Sequence, residues 1–331
     1  MSGILTIFLL ALAVTAVSIP WVRRFALRTG FVDAPAQRKL HSTPVPLMGG
    51  VAIFIGAIFA FALFAGGELP RSVTGAFLAL SLVAFTGLLD DRYHLPARLK
   101  LAVELVAVVI LIYFGIHVQL PLPPFVNYAI TAFWIIGITN AINFLDNMDG
   151  LSAGISGVAA AFLLLLGAGN DQFLVAGLAA AVLGACLGFL RYNFPPAKIF
   201  MGDAGALFLG FVLAILGLQL RFPENQATVT WMVPVFILAV PIFDTTLVVI
   251  SRIRRGISPN TAGKDHTSHR LVRLGFSQRE AVLILYLFTG ATGMIALFIA
   301  EATFWEAYAI AAVASLLALY IIWWLEKKWQ A

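Results

Sequence analysis

Asn140-Ala-Ile-Asn143-Phe-Leu-Asp146-Asn147-Met-Asp149-Gly150-Leu151 decides how the rest of this chain is read. An apolar run from Phe125 to Thr139 leads into it, and another begins at Leu151. Asn140, Asn143, Asp146, Asn147 and Asp149 therefore crowd together at the end of a stretch apolar enough to cross a bilayer. Polar groups at that depth cost free energy, so in a membrane protein they mark a site. Carboxylate and amide oxygens suit a hard cation such as Mg²⁺, which also takes phosphate oxygens from a substrate. The competing structural reading is a polar turn with an Asx cap before Asp149-Gly150. The positions of the other polar clusters decide between the two.

The 331-residue chain is 61% hydrophobic and 11% charged, with a mean hydropathy of +0.97. A soluble protein carries about 25% charged residues, so the expectation is an all-α, polytopic integral membrane protein. The net charge of +5 is scattered through short loops and forms no single basic patch, which speaks against nucleic acid as a partner. Cys186 stands alone in an apolar run, which excludes an intrachain disulfide or a cysteine-rich metal site. No basic segment precedes the first apolar run, so that run reads as a retained span and not a cleaved signal.

With about 20 apolar residues needed per span, eleven stretches qualify: 3–22, 47–66, 71–89, 98–117, 124–143, 150–169, 172–190, 204–220, 228–250, 280–300 and 303–325. No soluble domain fits between them, so 1–331 reads as a single transmembrane domain. If the N-terminus lies outside, all but two of the 21 basic residues, Arg71 and Arg221, fall on the inner side. Lys and Arg favour cytoplasmic loops, and this bias places the N-terminus outside and the C-terminus in the cytoplasm. The polar clusters follow the same alternation and collect on the cytoplasmic face.

Asp90-Asp91 closes the third span; adjacent carboxylates in a partly dry place repel, and either one acts as a base or a cation holds the pair. Phe200-Met-Gly202-Asp203-Ala-Gly205 opens the eighth span, with Asp203 at a helix N-terminus where an N-cap role competes with a metal-ligand role. Upstream, Arg191, Asn193 and Lys198 suit a phosphate or a base ring. Asp244 lies inside the ninth span, as a buried partner for Arg252 or Arg254 or as a support for catalysis. Glu104, in the fourth span, reads as a buried partner or a snorkelling residue. Lys264 to Arg270 brings His266, His269 and Arg270 into the longest loop, as cationic donors to a diphosphate. Arg38, Lys39 and His41, ahead of Pro44, Pro46 and Gly49-Gly50, suit an anionic lipid phosphate.

The ordered set formed by Asp33 to Gly50, Asp90-Asp91, Asn143 to Gly150, Phe200 to Asp203 and the histidine loop resembles the bacterial polyprenyl-phosphate N-acetylhexosamine-1-phosphate transferases, glycosyltransferase family 4. The resemblance covers nearly the whole chain. It implies transfer of a sugar-1-phosphate from a UDP-sugar donor to undecaprenyl phosphate with release of UMP, in the inner (plasma) membrane of a bacterium. It also implies dependence on Mg²⁺ (or Mn²⁺ in its place), with Asp203 as the leading ligand and Asn143 a second. Asp90 and Asp91 match the pair that deprotonates or positions the lipid phosphate, Asp146, Asp149 and Asn193 match positions near the nucleotide, and Asn140 is counted among the substrate-binding residues. Ser268 stands where many members have histidine, and three consecutive histidines are lacking, which favours an N-acetylglucosamine donor. Besides membrane lipid, a second copy of the chain is a partner compatible with the resemblance. The alternative from another class is a transporter or flippase, which calls for ionisable residues at mid-membrane.

Overall fold

The computed structural model describes residues 2–33, 45–64, 70–259, 261 and 263–330. Arg38, Lys39 and His41 lie outside the described residues. The described chain is almost entirely helical: α1 (Ser2–Thr29), α2 (Gly49–Phe64), α3 (Arg71–Tyr93), α4 (Ala97–Tyr113), α5 (Pro124–Leu145), α6 (Leu151–Gly169), α7 (Phe173–Asn193), α8 (Gly202–Gln219), α9 (Ala227–Thr230), α10 (Met232–Ile237), α11 (Ala239–Arg254), α12 (Thr267–Arg273), α13 (Gln278–Glu301) and α14 (Phe304–Gln330). One departure from an all-α chain is a small antiparallel ribbon, β1 (Val32–Asp33) with β2 (Val45–Pro46), in which Val32 faces Pro46.

Among the described residues each apolar stretch marked in the sequence carries helix, and the protein is polytopic. Among the described residues eight helices are long and apolar enough to cross a membrane, or nine if α9–α10 and α11 count as one bent span. At 16 and 17 residues, α2 and α4 are shorter. The ninth apolar stretch is not one helix but bends by 73°. A proline within a helix removes one N–H and clashes with the carbonyl four residues back. Pro234 stands four residues after Thr230, where α9 ends, and Pro241 four after Ile237, where α10 ends.

Contacts divide the chain into two compact units, Met1–Arg221 and Phe222–Ala331. In the first, α8 is the centre: 78% of its apolar window is buried, against 22% for α1. Phe208 and Phe211 of α8 are fully enclosed. Glycine lets neighbours reach this helix. A Cβ on Gly87 of α3 would lie 2.6 Å from the Ala204 Cα, so the last turn of α3 can run against the start of α8. The chain leading into α2 grips the same point, since Gly49 N–H donates to Phe200 O (2.9 Å), Gly50 N–H to Met201 O (2.8 Å) and Phe200 N–H to Pro46 O (2.8 Å). The Pro46 to Gly50 segment is therefore a brace for the N-terminus of the most buried helix. In the second unit, Leu247 of α11 packs with Ile322 and Leu325 of α14, with Phe243, Ile250 and Ile321 against them. Only 11% of the apolar window of α14 is buried.

Candidate active site

The last turn of α3, the first turn of α4 and the first turn of α8 meet at one end of the first unit. Lys100 stands between two carboxylates: its Nζ donates to Asp90 Oδ2 at 2.7 Å and to Asp203 Oδ2 at 2.9 Å. Asp90 Oδ1 also accepts from Leu95 N–H (2.6 Å), which fixes the carboxylate against the α3–α4 turn. Asp91 points the other way. Its two oxygens accept from the backbone N–H groups of Asp203 (2.8 Å) and Ala204 (3.2 Å), so a side chain of α3 caps α8. The residue at the N-cap position of α8, Met201, offers no side-chain cap, and the first N–H groups of a helix need an acceptor. Gly202 makes room for this arrangement: it has φ +72°, and a Cβ there would lie 2.5 Å from Asp91 Oδ2.

One of the two roles weighed for Asp203 falls away. Asp203 is not the N-cap of α8; it stands one residue inside the helix and turns its carboxylate to Lys100. Of the adjacent carboxylates, Asp90 is held by the Lys100 cation, while Asp91 is held by backbone N–H groups.

The stretch from Asn140 to Gly150 joins this end of the unit. Asn193 is buried, accepts from Gly150 N–H at 2.8 Å and donates to Ile199 O at 2.9 Å. Asp149 Oδ2 accepts from Ala197 N–H at 2.8 Å. These two side chains tie the turn after α5 to the loop between α7 and α8. Asn140 donates to Glu104 Oε2 at 2.8 Å, and Glu104 is only 3% exposed, which resolves it as a buried partner. Among the described residues, neither the Asp146 carboxylate nor the Asn143 carboxamide makes a side-chain hydrogen bond. Burial pushes the Asp146 carboxyl up to about 8, and the charges of Asp203, Asp91 and Asp149 add to the rise.

The expected Mg²⁺ can be weighed against this donor set. No group of three or more His, Cys, Asp or Glu side chains among the described residues is arranged to hold a metal by itself. Mg²⁺ does not require such a cage, since one or two carboxylates plus substrate phosphates suffice. The unengaged oxygens of Asp146 and Asn143, with the remaining oxygen of Asp203, fit that description. They are the residues that would hold it.

In the second unit, the histidine loop is held from several sides. Asp244 of α11 accepts from His266 Nδ1 (2.8 Å) and from Thr267 N–H (2.6 Å), capping α12. The buried partner of Asp244 is thus His266, not Arg252 or Arg254. Arg252 instead forms a two-pronged pair with Asp265, at 3.0 and 2.7 Å, and Arg255 joins it at 2.5 Å. Burial alone would raise the Asp265 pKa, but the hydrogen bonds and charges of Arg252, with a further bond from Arg255, hold it down to about 2. Burial pushes the His269 imidazole down to about 4, helped by His266 and Lys264 and opposed by Asp244 and Asp265. An imidazole held there is neutral near pH 7 while no anion lies beside it. Arg270 is also engaged, with Asp265 O at 2.8 Å and Glu326 at 2.7 Å.

Lys100 was absent from the sequence-derived site. A signal existed: a lysine in the first turn of a helix works against the helix dipole, so it needs a local reason. Asp265 and Glu326 are not separable in sequence from ordinary loop and helix-end charges.

The profile "Glycosyl transferase family 4" matches residues 73–221, the stretch that carries Asp90 through Asp203. A "Probable undecaprenyl-phosphate N-acetylglucosaminyl 1-phosphate transferase" of Bacillus subtilis is 36% identical, covering 92% of this chain and 87% of that protein. A "Decaprenyl-phosphate N-acetylglucosaminephosphotransferase" of Mycolicibacterium smegmatis is 33% identical over 85% of this chain and 78% of its own. An "Undecaprenyl-phosphate alpha-N-acetylglucosaminyl 1-phosphate transferase" of Yersinia pestis is 30% identical over 98% and 91%.

Proposed function

We propose the activity from one premise: this chain belongs to glycosyl transferase family 4. It transfers N-acetylglucosamine-1-phosphate from UDP-N-acetylglucosamine to undecaprenyl phosphate and releases UMP, the first membrane step of a cell-envelope polysaccharide. The names of its relatives support the sugar and the polyprenyl phosphate. The observation that carries the reading is Lys100 held between Asp90 and Asp203, beside the capped start of α8.

A lipid phosphate oxygen attacks the β-phosphorus of the donor, forming a new P–O bond. The bond from that phosphorus to the bridging oxygen breaks, and UMP leaves with the oxygen. A phosphate monoester has its second pKa near 6, so the nucleophile is largely dianionic at pH 7 and needs no base. Asp90 then serves to hold Lys100, which has three N–H donors and keeps one for a phosphate oxygen. Asp91 serves to fix α8, and with it Asp203. Asp203, Asp146 and Asn143 are the residues that would hold Mg²⁺, and the chemistry it would supply there is neutralisation of phosphate charge. His266, His269 and Arg270 remain donor-binding residues from the sequence reading alone; within their own unit Arg270 is fixed by Asp265 O and Glu326. Asp149 and Asn193 shape the wall of the nucleotide site by tying its loops together.

In this reading eleven helical stretches cross the plasma membrane, two of them short, with the N-terminus outside, the C-terminus in the cytoplasm and one transferase domain whose active site faces inward. The Lys and Arg bias supports that orientation, and a cytoplasmic UDP-sugar requires it. The two mid-membrane candidates of the transporter alternative are both paired, Glu104 with Asn140 and Asp244 with His266. Mass spectrometry of the lipid product tests the reaction. Undecaprenyl diphosphate carrying N-acetylglucosamine is expected; a sugar joined through a single phosphate, or no lipid product, would overturn it.

A further inference from the structure

Helix α14 touches little, yet it carries one of the most enclosed carboxylates of the chain. Glu326 is 3% exposed and directly follows Leu325, one turn after Ile322, where α14 packs on α11 by apolar contact. Burying a carboxylate costs several kcal/mol unless it is paired, so this position has a reason beyond packing. The reason is α12. Glu326 Oε1 accepts from Arg270 Nη2 at 2.7 Å, and Arg270 is itself only 2% exposed. Arg254 approaches Glu326 Oε2 from the other side, at 3.7 Å. Three residues further along α14, the Trp329 ring lies under two guanidinium groups, with Arg270 at 5.0 Å and Arg273 at 4.7 Å from its centre. Both arginines belong to α12.

An isolated helix of seven residues such as α12 is not stable by itself. Its N-terminal end is fixed by Asp244, which holds His266 and Thr267 N–H. Its C-terminal half, from His269 onward, has the last turns of α14 as its polar anchor. We propose that Glu326 and Trp329 are positioning residues, through which the C-terminal end of α14 holds α12 and fixes His269, which the sequence reading assigns to donor binding. This rests on the reading of the His266–His269 segment as part of the donor site.

Kinetics and hydrogen exchange together test the proposal on the full-length protein. Glu326→Gln and Trp329→Ala are expected to raise KM for UDP-N-acetylglucosamine at least tenfold and to leave KM for undecaprenyl phosphate within twofold. Glu326→Asp, which keeps the charge, recovers most of the donor affinity and also serves if the glutamine variant does not fold. Amide exchange across 265–274 speeds up at least tenfold in the first two variants, with no change across 86–95. A donor KM within twofold of the parent protein in folded Glu326→Gln overturns the proposal. So does an equal loss toward both substrates accompanied by faster exchange throughout the chain, which marks general destabilisation. If the parent protein releases no UMP at all, the reaction reading fails, and the exchange measurement still judges the clamp: faster exchange confined to 265–274 upholds it, and unchanged exchange overturns it.

Discussion

Replacing Lys100 with methionine removes one ammonium group and keeps the length and apolar character of the stem. Two carboxylates then face each other with no cation between them. Two unit charges 4 Å apart attract by about 4 kcal/mol at an effective dielectric near 20. Lys100 sits closer than that to both Asp90 and Asp203, but its side chain is 23% exposed and theirs 11% and 28%. Desolvation and screening offset much of the attraction, leaving about 1.5 kcal/mol for each charged hydrogen bond. Losing both amounts to about 3 kcal/mol, shared between folding stability and the stabilisation of a phosphoryl transition state. If most of it falls on the reaction, the rate drops about 100-fold, at 1.36 kcal/mol per decade. Lys100→Met should therefore lower kcat/KM for UMP release by about two decades, while the melting temperature falls by only a few degrees. Lys100→Arg should recover a part, because a planar guanidinium bridges two carboxylates less well than a compact ammonium. The assay is initial-rate UMP release against donor concentration, with thermal unfolding measured on the same preparations. Folded Lys100→Met with kcat/KM within threefold of the parent would refute the role given to this residue.

Three further outcomes follow from the same geometry. The Asp146 carboxyl is held near 8 in the fold against an ordinary value near 4, so its contribution to stability is full below pH 4 and is lost as pH rises to 8. Asp146→Asn should make the metal-free protein more stable than the parent at pH 8.5, by on the order of a few kcal/mol, and inactive; no stability difference between pH 5 and 8.5 on thermal melting would contradict this. Gly202→Ala should cost about 2 kcal/mol or more, because positive φ is strained for alanine and its Cβ would press on Asp91; a parent-like melting temperature and rate would count against Asp91 as the cap of α8. His269, held near 4, should show flat ring resonances from pH 8 down to 5.5 in NMR of histidine-labelled protein, and a midpoint near 6.5 would show that it is not desolvated.

Helix content was legible in the sequence because the length of an apolar run is a local property, and a run in a bilayer has only a helix to adopt. The break in the ninth stretch was also written locally, at Pro234 and Pro241, and required reading the carbonyl four residues behind each. Clustering of polar residues at one end was visible from alternation. Partner choice was not. Asp91 caps a helix that begins 111 residues later in the chain, with its hydrogen bond to Asp203 N–H spanning 112 positions. Nothing in the Asp90-Asp91 dipeptide tells which of the two carboxylates turns to the lysine and which to the backbone. Asn193 and Asn143 have the same side chain, yet the first is enclosed between Gly150 N–H and Ile199 O, and the second is open. The small β1–β2 ribbon escaped notice because two-residue strands carry no periodicity.

One experiment bears on the reaction and on the proposed metal ligand together: UMP release by purified protein given undecaprenyl phosphate, UDP-N-acetylglucosamine and Mg²⁺, with and without EDTA, beside Asp203→Ala. Release that depends on the lipid, stops with EDTA and is lost in Asp203→Ala is the predicted result. Folded parent protein that releases no UMP with any UDP-N-acetylhexosamine, or Asp203→Ala that keeps full Mg²⁺-dependent release, would contradict it.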